Sequence, residues 1–552
     1  MEKNYLYFLC FIFSIPFFSQ EVEWQKDITS KTQSFLSQLS ITPDQQYLIA
    51  GSSIHQEEGK NYGYDFHLIK LNQKGEKVWE KYFGGTEHDF LTATTPTEEG
   101  GFLLAGTSFS EKGRDKTESS YGSADLWVIK ISESGGIEWQ RTLGSTGNEE
   151  AKSVVQTTDM GYVVASDVSF SPKEKSFKNI WIIKLNKAGS ITHEAILGGK
   201  SDHEIEKIIP TKDGGVLVAA YSRDNSHSYL NINETSFLKD SIHEGKSYTK
   251  DNITRSLPIE ELRKLKTHFF IKNTENFGEG DYWIIKLDKE LNLQWQQSFG
   301  GKDDDHIRSI QITDSGYILG GESRSEATGN KRTTSRGGSH VWLISLDENG
   351  EEQWQQSYRF KNRDILMSIE VIPKDKSKNG AESFLLGGYS QAEGKVEKDE
   401  ETFWMLYLDK KGNEIWRKYI EGSSRKNEER LVSATMNKEG AYILAGTSAE
   451  ELGKENWKIV KLKDQQLKEL ILSQEIRAYP NPAKNYVYIE IGYDFEQANI
   501  ECFDMSGKKI RSLKTYHRIT KMDTYSLPQG VYIINVTTLN PNKIINTKVI
   551  KL

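Results

Sequence analysis

The chain has 552 residues, too many for one ordinary core and enough for a large repeat domain plus a small one. Its 71 Lys and Arg stand against 79 Asp and Glu, a net charge of −8, which argues against nucleic acid or an anionic membrane as partner. Cys10 and Cys502 are the two cysteines, and Cys10 falls in a leader, so an exported chain must be stabilised by burial and not by a disulfide.

Residues 1–20 read as a signal peptide. The apolar run Tyr5–Phe18, about fourteen residues, is too short to span a membrane as a helix and suits a signal h-region. Glu2 offsets Lys3 in a weak basic flank, and cleavage is expected near Ser19 or Gln20. Cys10 sits inside the run and not at its end, which disfavours a lipoprotein. No later stretch is long enough to span, so no transmembrane segment is expected after leader removal.

Beyond the leader the chain repeats itself, most clearly at Asp281–Ser325. Four short apolar runs lie there: Tyr282–Leu287, Gln294–Phe299, Ile307–Thr313 and Tyr317–Glu322. Each ends in Gly, Asp, Asn or Ser, and all are rich in aromatics and Ile, so they read as strands. Tight turns between them imply an antiparallel meander. In that order the four runs are called strands C, D, A and B of a unit. The C-strand aromatic, or its equivalent, recurs at His67, Trp127, Trp181, Trp283, Trp342, Trp404 and Trp457. A D-strand series follows at Trp24, Trp79, Trp139, Trp295, Trp354 and Trp416, with His193 in a weak copy. The Gly-rich B strand recurs at 100–108, 160–169, 214–222, 315–323, 382–390 and 440–448, and most weakly at 46–53.

Seven copies of four strands predict an all-β, seven-bladed β-propeller over 21–463. The chain enters on a D strand at Trp24 and its last copy ends on a C strand, Trp457–Leu462. Val22–Ile28 is therefore expected to complete the last blade and remove its free edge; the rival for that place is Leu467–Leu472. The D-strand tryptophans are read as wedges packed between blades and not as ligand platforms. Lys130, Lys184, Lys286 and Lys461 are read as packed stems whose ammonium reaches water or a neighbouring Asp. A polar insertion occupies about 223–280 in one B–C connection. It carries one expected short helix, with Ser256 as N-cap, Pro258 in the first turn and an Ile259, Leu262, Leu265 stripe. Loops of that length are usually functional or disordered.

Residues 464–475 read as a linker, and 476–552 as a small Ig-like β-sandwich with alternation through Tyr486–Ile491. Its motifs are Tyr479-Pro480-Asn481-Pro482, then Asp504 with Gly507-Lys508, then Leu527 with Gly530 and Tyr532, and Lys548 near the end. In order and spacing they resemble the type A sorting domain of the type IX secretion system of Bacteroidota. The resemblance implies export by the leader to the periplasm, then across the outer membrane by the tail. It implies as partners the type IX machinery and its C-terminal signal peptidase or sortase, and a cargo secreted or held on the outer cell surface. The repeat region is similar to bacterial β-propeller repeats of large surface proteins, on Asp125–Lys130 and its copies; such motifs specify fold and not activity.

Enzyme chemistry is hard to find. Asp409–Gly412 followed by Trp416 resembles a quinoprotein turn, but the adjacent cysteine pair is missing. Asp347 is too far from Trp354 for a sialidase Asp box, and no GxSxG, HExxH or P-loop occurs. No catalytic residue is assigned. Acidic clusters follow the D strand at Glu87-His88-Asp89, Asp202-His203-Glu204 and Asp303-Asp304-Asp305-His306. Glu87, Asp89, Asp303 and Asp305 are weak candidates for Ca²⁺, against an ordinary turn role; no other cofactor is expected. In a meander the D–A and B–C connections share one face. That face carries every long loop: 107–123, 222–280, 322–338 and 389–401. Variable loops on a rigid scaffold favour recognition. The chain therefore reads as a binding or adhesion platform for an unidentified extracellular ligand, glycan or protein. The alternative is an extracellular carbohydrate-active or other hydrolytic enzyme, which needs convergent acid and base groups.

Overall fold

The computed structural model describes residues 21–552 except 30–32, 58–59, 170–176, 200, 224–265, 335–336, 362, 375–376, 378–379, 392–401, 421–427, 438–440, 450–455, 464–474 and 494. The leader, the helix expected at Ser256–Leu265 and the rival closing strand Leu467–Leu472 lie outside the described residues. Every described element is a strand, and among the described residues no helix is long and apolar enough to cross a membrane.

β1 (Glu21–Ile28) comes first. Sheet 1 follows with β2 (Ser34–Ile41), β3 (Tyr47–Glu57), β4 (Lys60–Leu71) and β5 (Lys77–Phe83). Sheet 2 holds β6 (Asp89–Pro96), β7 (Phe102–Ser108), β8 (Asp125–Ile131) and β9 (Ile137–Leu143). Sheet 3 holds β10 (Asn148–Gln156), β11 (Tyr162–Ser169), β12 (Asn179–Leu185) and β13 (Ile191–Gly198). Sheet 4 holds β14 (His203–Pro210) and β15 (Val216–Ser222), then, after β16 (Lys266–Ile271), β17 (Asp281–Leu287) and β18 (Leu293–Phe299). Sheet 5 holds β19 (Asp305–Ile312), β20 (Gly316–Ser323), β21 (His340–Asp347) and β22 (Glu352–Tyr358). Sheet 6 holds β23 (Arg363–Ile372), β24 (Ser383–Gln391), β25 (Thr402–Asp409) and β26 (Glu414–Ile420). Sheet 7 holds β27 (Glu428–Met436), β28 (Tyr442–Ala449) and β29 (Asn456–Lys463).

Within each sheet the strands pair antiparallel in chain order. The A strands touch one another in a closed cycle, β2 to β6, β10, β14, β19, β23, β27 and back to β2. The arrangement is all-β and propeller-like, with A strands innermost and D strands outermost. β1 adds to β29 as the fourth strand of sheet 7 and sets Trp24 opposite Lys461. The same register sets Trp79 opposite Lys70, Trp139 opposite Lys130 and Trp295 opposite Lys286. Residues 21–28 thus cover the edge that sheet 7 would otherwise leave open.

The hydrophobic core is divided among the sheet interfaces. Leu48, Phe66 and Leu68 of sheet 1 pack with Leu104, Trp127 and Ile129 of sheet 2. Tyr47 and Ile69 pack likewise with Trp457 and Ile459 across sheets 7 and 1. C strands sit between two such layers, so every residue of β8, β12 and β17 is buried. A short continuous apolar run is the sequence form of that environment.

Three expectations need correction. Trp457 does not hold the C-strand aromatic position. Trp127 pairs with Gly106 and Trp342 with Gly321, but the equivalent Gly446 pairs with Lys458, one residue beyond Trp457. A one-residue shift turns a side chain to the other face of its sheet. Trp457 accordingly points toward sheet 1, its ring 4.7 Å from His67, and fills the wedge where sheet 1 has no tryptophan of its own. Second, the face opposite the loops is not uniformly tight, because residues 373–382 make a longer A–B connection in sheet 6. Third, the insertion contributes a strand: β16 pairs parallel with β13 and covers the outer edge of sheet 3, where His193 replaces the D-strand tryptophan.

After residue 475 the tail forms two sheets around one core. β30 (Ile476–Tyr479), β31 (Tyr486–Ile491) and β34 (Ile519–Asp523) make one, and β32 (Gln497–Asp504), β33 (Lys509–Thr515), β35 (Gly530–Leu539) and β36 (Lys543–Lys551) the other. Val487, Ile489, Ile500, Cys502, Ile534 and Val536 fill the space between them.

Candidate functional site

Each A–B pair carries one register shift, at the same place in all seven sheets. A bulge there leaves one extra A-strand residue, and bulges re-aim side chains. The extra residues are Lys152, Glu206 and Arg308 in sheets 3 to 5, and Ser37, Thr92, Met367 and Val432 elsewhere. All are half-buried, as side chains around a central opening should be.

The opening differs from side to side on the loop face. Over sheets 1 and 2 it is aromatic. Phe35 lies 5.1 Å from Tyr64, Tyr64 5.2 Å from Phe90, and Phe90 5.8 Å from His88 and 6.2 Å from Phe109, between ring centroids. Phe35 and Phe109 remain 42% and 40% exposed, so this patch is offered to solvent and is not core. Over sheets 3 to 5 the opening is charged. His306 Nε2 lies 2.8 Å from Glu206 Oε1, and Arg308 reaches Glu322 at 3.0 Å and Glu206 at 3.7 Å. Lys152 Nζ lies 2.8 Å from Glu150 and 3.5 Å from Asp167. Burial pushes the Asp167 carboxyl up to about 7.

The long loops are pinned at their roots, to their own sheet and to the one before it. Gln140 accepts from Trp127 Nε1 at 3.0 Å and from Thr117 N–H at 3.1 Å, and donates to Asp115 C=O at 2.8 Å. Gln296 does the same for Trp283, Asn273 and Ile271, and Gln355 for Trp342, Arg332 and Asn330. Arg114 adds a two-pronged bridge to Asp65 of the preceding sheet, both contacts 2.9 Å. None of these glutamines was singled out from the sequence, although Trp-Gln recurs at 139–140, 295–296 and 354–355.

The candidate Ca²⁺ residues do other work. Asp89 and Asp305 are fully buried. Asp89 accepts from Gly85 N–H at 2.6 Å and Ser110 Oγ at 3.0 Å; Asp305 accepts from Gly301 N–H at 2.6 Å and Ser325 Oγ at 2.8 Å. Glu87 and Asp303 donate their backbone N–H groups to those same serine hydroxyls, each at 2.9 Å. Glu149 and Asp364 occupy the matching place and hold the D–A connection in the same way. These carboxylates shape the loop face from beneath. Among the described residues no three His, Cys, Asp or Glu side chains gather as a metal ion would need.

The D-strand tryptophans lie on the opposite face, all half-buried. Trp24 donates to Gln73 C=O at 3.1 Å, Trp79 to Glu133 C=O at 3.0 Å and Trp295 to Glu348 C=O at 3.3 Å, each in the next sheet. The turn they meet needs glycine. Gly75, Gly189, Gly350 and Gly412 have φ of 77–85°, and a Cβ there would stand 2.7–3.0 Å from Trp24, Trp139, Trp295 and Trp354 respectively. Trp416 stacks on Tyr407 of its own sheet at 5.5 Å. A groove of about 540 Å³ lies on this face between sheets 4 and 5, lined by Trp295, Tyr317, Lys212 and Glu348. Lys212 already donates there to the Thr313 and Asp314 carbonyls.

In the tail, Asn481 ties the Tyr-Pro-Asn-Pro run to the last strand: it donates to Lys548 C=O and accepts from Ile550 N–H, both at 2.8 Å. Tyr479, at the end of β30, pairs with Tyr488, and Pro480 and Pro482 flank Asn481. Asp504 caps its turn through Ser506 and Lys508 N–H at 2.9 and 3.0 Å, with Gly507 left-handed at φ 82°. Leu527 is buried, Tyr532 Oη donates to Pro528 C=O at 2.8 Å, and Gly530 opens β35. The Lys508 and Lys548 side chains are exposed.

Residues 477–551 match the family described as the secretion system C-terminal sorting domain. The chain is thereby type IX secretion cargo, bound for the cell surface or extracellular space. No curated protein matches the chain. Solved structures similar to it include polysaccharide lyase Uly1, at 8% identity and TM-score 0.42 over 80% of this chain and 99% of that one. The β-propeller domain of the Trilobed protease from Pyrococcus furiosus is another, at 9% and 0.40 over 79% and 96%. The Neurospora crassa Pan2 WD40 domain follows at 8% and 0.39 over 77% and 89%.

Proposed function

We propose that the repeat region is a seven-bladed β-propeller that binds an extracellular glycan at the mouth of its loop face. An Ig-like tail and a leader at 1–20 serve export by a Bacteroidota type IX system. The observation that carries the binding reading is the two-sided mouth. An exposed aromatic patch, Phe35, Tyr64, Phe90 and Phe109, faces a charged side built from Lys152, Glu206, His306 and Arg308. A sugar ring offers the matching pair, an apolar C–H face to stack on aromatics and hydroxyls to bond charged groups. Loops fixed by Gln140, Gln296 and Gln355 make the surface preorganised, which lowers the entropy lost on binding.

A glycan array with the full chain tests this. Phe90→Ala is expected to weaken binding about tenfold, the loss of one stacking contact worth about 1 kcal/mol plus its buried area. Binding unchanged in both Phe35→Ala and Phe90→Ala would overturn the site. Turnover of a bound glycan that Glu206→Gln abolishes would replace the binding reading by the hydrolytic one.

A further inference from the structure

β31, the middle strand of the tail's three-stranded sheet, is buried on both sides. In β31, Val487, Ile489 and Ile491 point into the tail's core, so Tyr486, Tyr488 and Glu490 lie on its outer face. The outer face of a small sandwich ordinarily meets water. Here Tyr486, Tyr488 and Glu490 are only 6%, 5% and 4% exposed. Part of the cover is Lys521, opposite Tyr488 on β34, whose Nζ stands 4.2 Å from the Tyr486 ring centroid. The repeat region adds to it. Glu133, in the β8–β9 turn, accepts from Tyr488 Oη at 3.0 Å and from Lys521 Nζ at 2.6 Å. Glu133 is itself anchored, since its carbonyl receives the Trp79 N–H.

The seat is acidic and its occupant carries the cation. After burial, the charges of Glu133, Glu99, Glu98 and Asp44 are what push the Tyr486 phenol up. Those carboxylates come from three turns of sheets 1 and 2. Burial alone would raise the Glu133 carboxyl as well, but the Lys521 hydrogen bond and charge bring it below the usual range. Tyr479, first residue of the Tyr-Pro-Asn-Pro run, shares the covered face, its ring 5.8 Å from Tyr488. The loop-face mouth is on the opposite side and stays open.

We infer that this face of the sorting domain is a docking surface for the chain's own turn face, anchored at Glu133, and that it must leave its seat before the Tyr479 side of the motif can be presented to another protein. The two parts are joined through residues 464–475, so docking is intramolecular. A tether that short gives an effective concentration on the order of millimolar, enough for a weak contact to stay closed.

Tyrosine nitration of the full chain, read peptide by peptide by mass spectrometry, tests the inference. Tyr516 and Tyr525, 62% and 77% exposed, report reagent access in every sample. Tyr486 and Tyr488 should react far more slowly than these in the wild type. Glu133→Lys and Lys521→Glu should each speed them about tenfold or more, the value of one charge-assisted bond. The double variant, with the charges exchanged, should restore protection. Tyr488→Phe removes only the hydroxyl and should speed Tyr486 more modestly, which keeps the test open if a charge variant fails to fold. Tyr486 reacting like Tyr525 in the wild type, or full protection in every single variant, would overturn the proposal.

Discussion

The two faces of the repeat region are built on different logic. Turn-face connections repeat one device. A side chain such as Asn72, Asn186, Asp288 or Asp409 accepts from the N–H groups two and four residues on. In most of these turns a left-handed glycine then lets the neighbouring tryptophan close in. Loop-face connections share only their roots: in four sheets a buried acid, Asp89, Glu149, Asp305 or Asp364, under the D–A connection and, in three, a Gln under the B–C loop. Sheet-to-sheet cohesion comes from the apolar wedges, from the repeated turn-face device and, on the loop face, from individual bonds such as Arg114 to Asp65 and Asn330 to Ser298 C=O. The loops bond at their roots both to their own sheet and to the one before, and beyond those roots they differ in length and sequence.

The largest effect should come from the wedges. Trp283→Ala, at a fully buried C-strand site, should lower stability by about 3–5 kcal/mol. Trp24→Ala, half-buried on the turn face, should lower it by about 1–3 kcal/mol. Denaturant melts compare the two. No change in Trp24→Ala would mean that β1 does not close sheet 7. A loss equal to that of Trp283 would mean that the turn face carries as much cohesion as the core.

Acid titration should separate the faces by sign. On the loop face, burial holds the Glu149 carboxyl at about 8 against an ordinary 4.5. The folded state then keeps a proton that the unfolded chain gives up, so this group's contribution is best below pH 4.5 and declines as pH rises through about 8. On the turn face, burial opposes ionisation of Asp213, but Lys286, Thr211 and the Gly215 N–H hold it down at about 2 against 3.8. Its contribution is present above pH 3.8 and is lost as pH falls through about 2. Glu149→Gln should flatten the neutral limb of a stability–pH curve, and Asp213→Asn only the acid limb. Both variants changing the same limb would erase the distinction.

Much of this frame was legible in the sequence, for a physical reason. A repeat that must tile a ring keeps its packing residues in step, so Trp24 falls in series with Trp79 and Trp139, and Lys461 with Lys130, in the sequence itself. Trp457 shows the limit. Aromatic spacing alone cannot see a one-residue slip when the residue taking the register is Lys458. β16 left only the short run Thr267–Ile271 inside a polar insertion, and its partner β13 is far away in sequence. The mouth was hidden because a bulge position has no preferred residue; Ser37, Lys152, Glu206 and Met367 share a place and no chemistry. Asp89 and Asp305 were visible as recurring acids, but burial, which decides that they hold turns, was not. The covered face of β31 was invisible because Tyr486 and Tyr488 alternate like any half-exposed strand.

The smallest expected effect bears most directly on how independent the two faces are. Gln296 accepts from Trp283 Nε1 at 2.9 Å and from Asn273 N–H at 3.3 Å, and donates to Ile271 C=O at 3.2 Å. Gln296→Ala leaves the buried indole N–H without that acceptor, while the exposed Asn273 N–H can turn to water. The loss should be about 1–2 kcal/mol, set by the one buried donor. Its local effect should be larger than its global one. Hydrogen exchange should quicken in 271–280, where the Gln holds the chain, and in the neighbouring β16. It should stay unchanged in the β17–β18 turn at 288–292, whose bonds run through Asp288. Exchange that quickens equally in both would show that the loop root and the turn belong to one cooperative unit, and the division between the faces would then be one of sequence only.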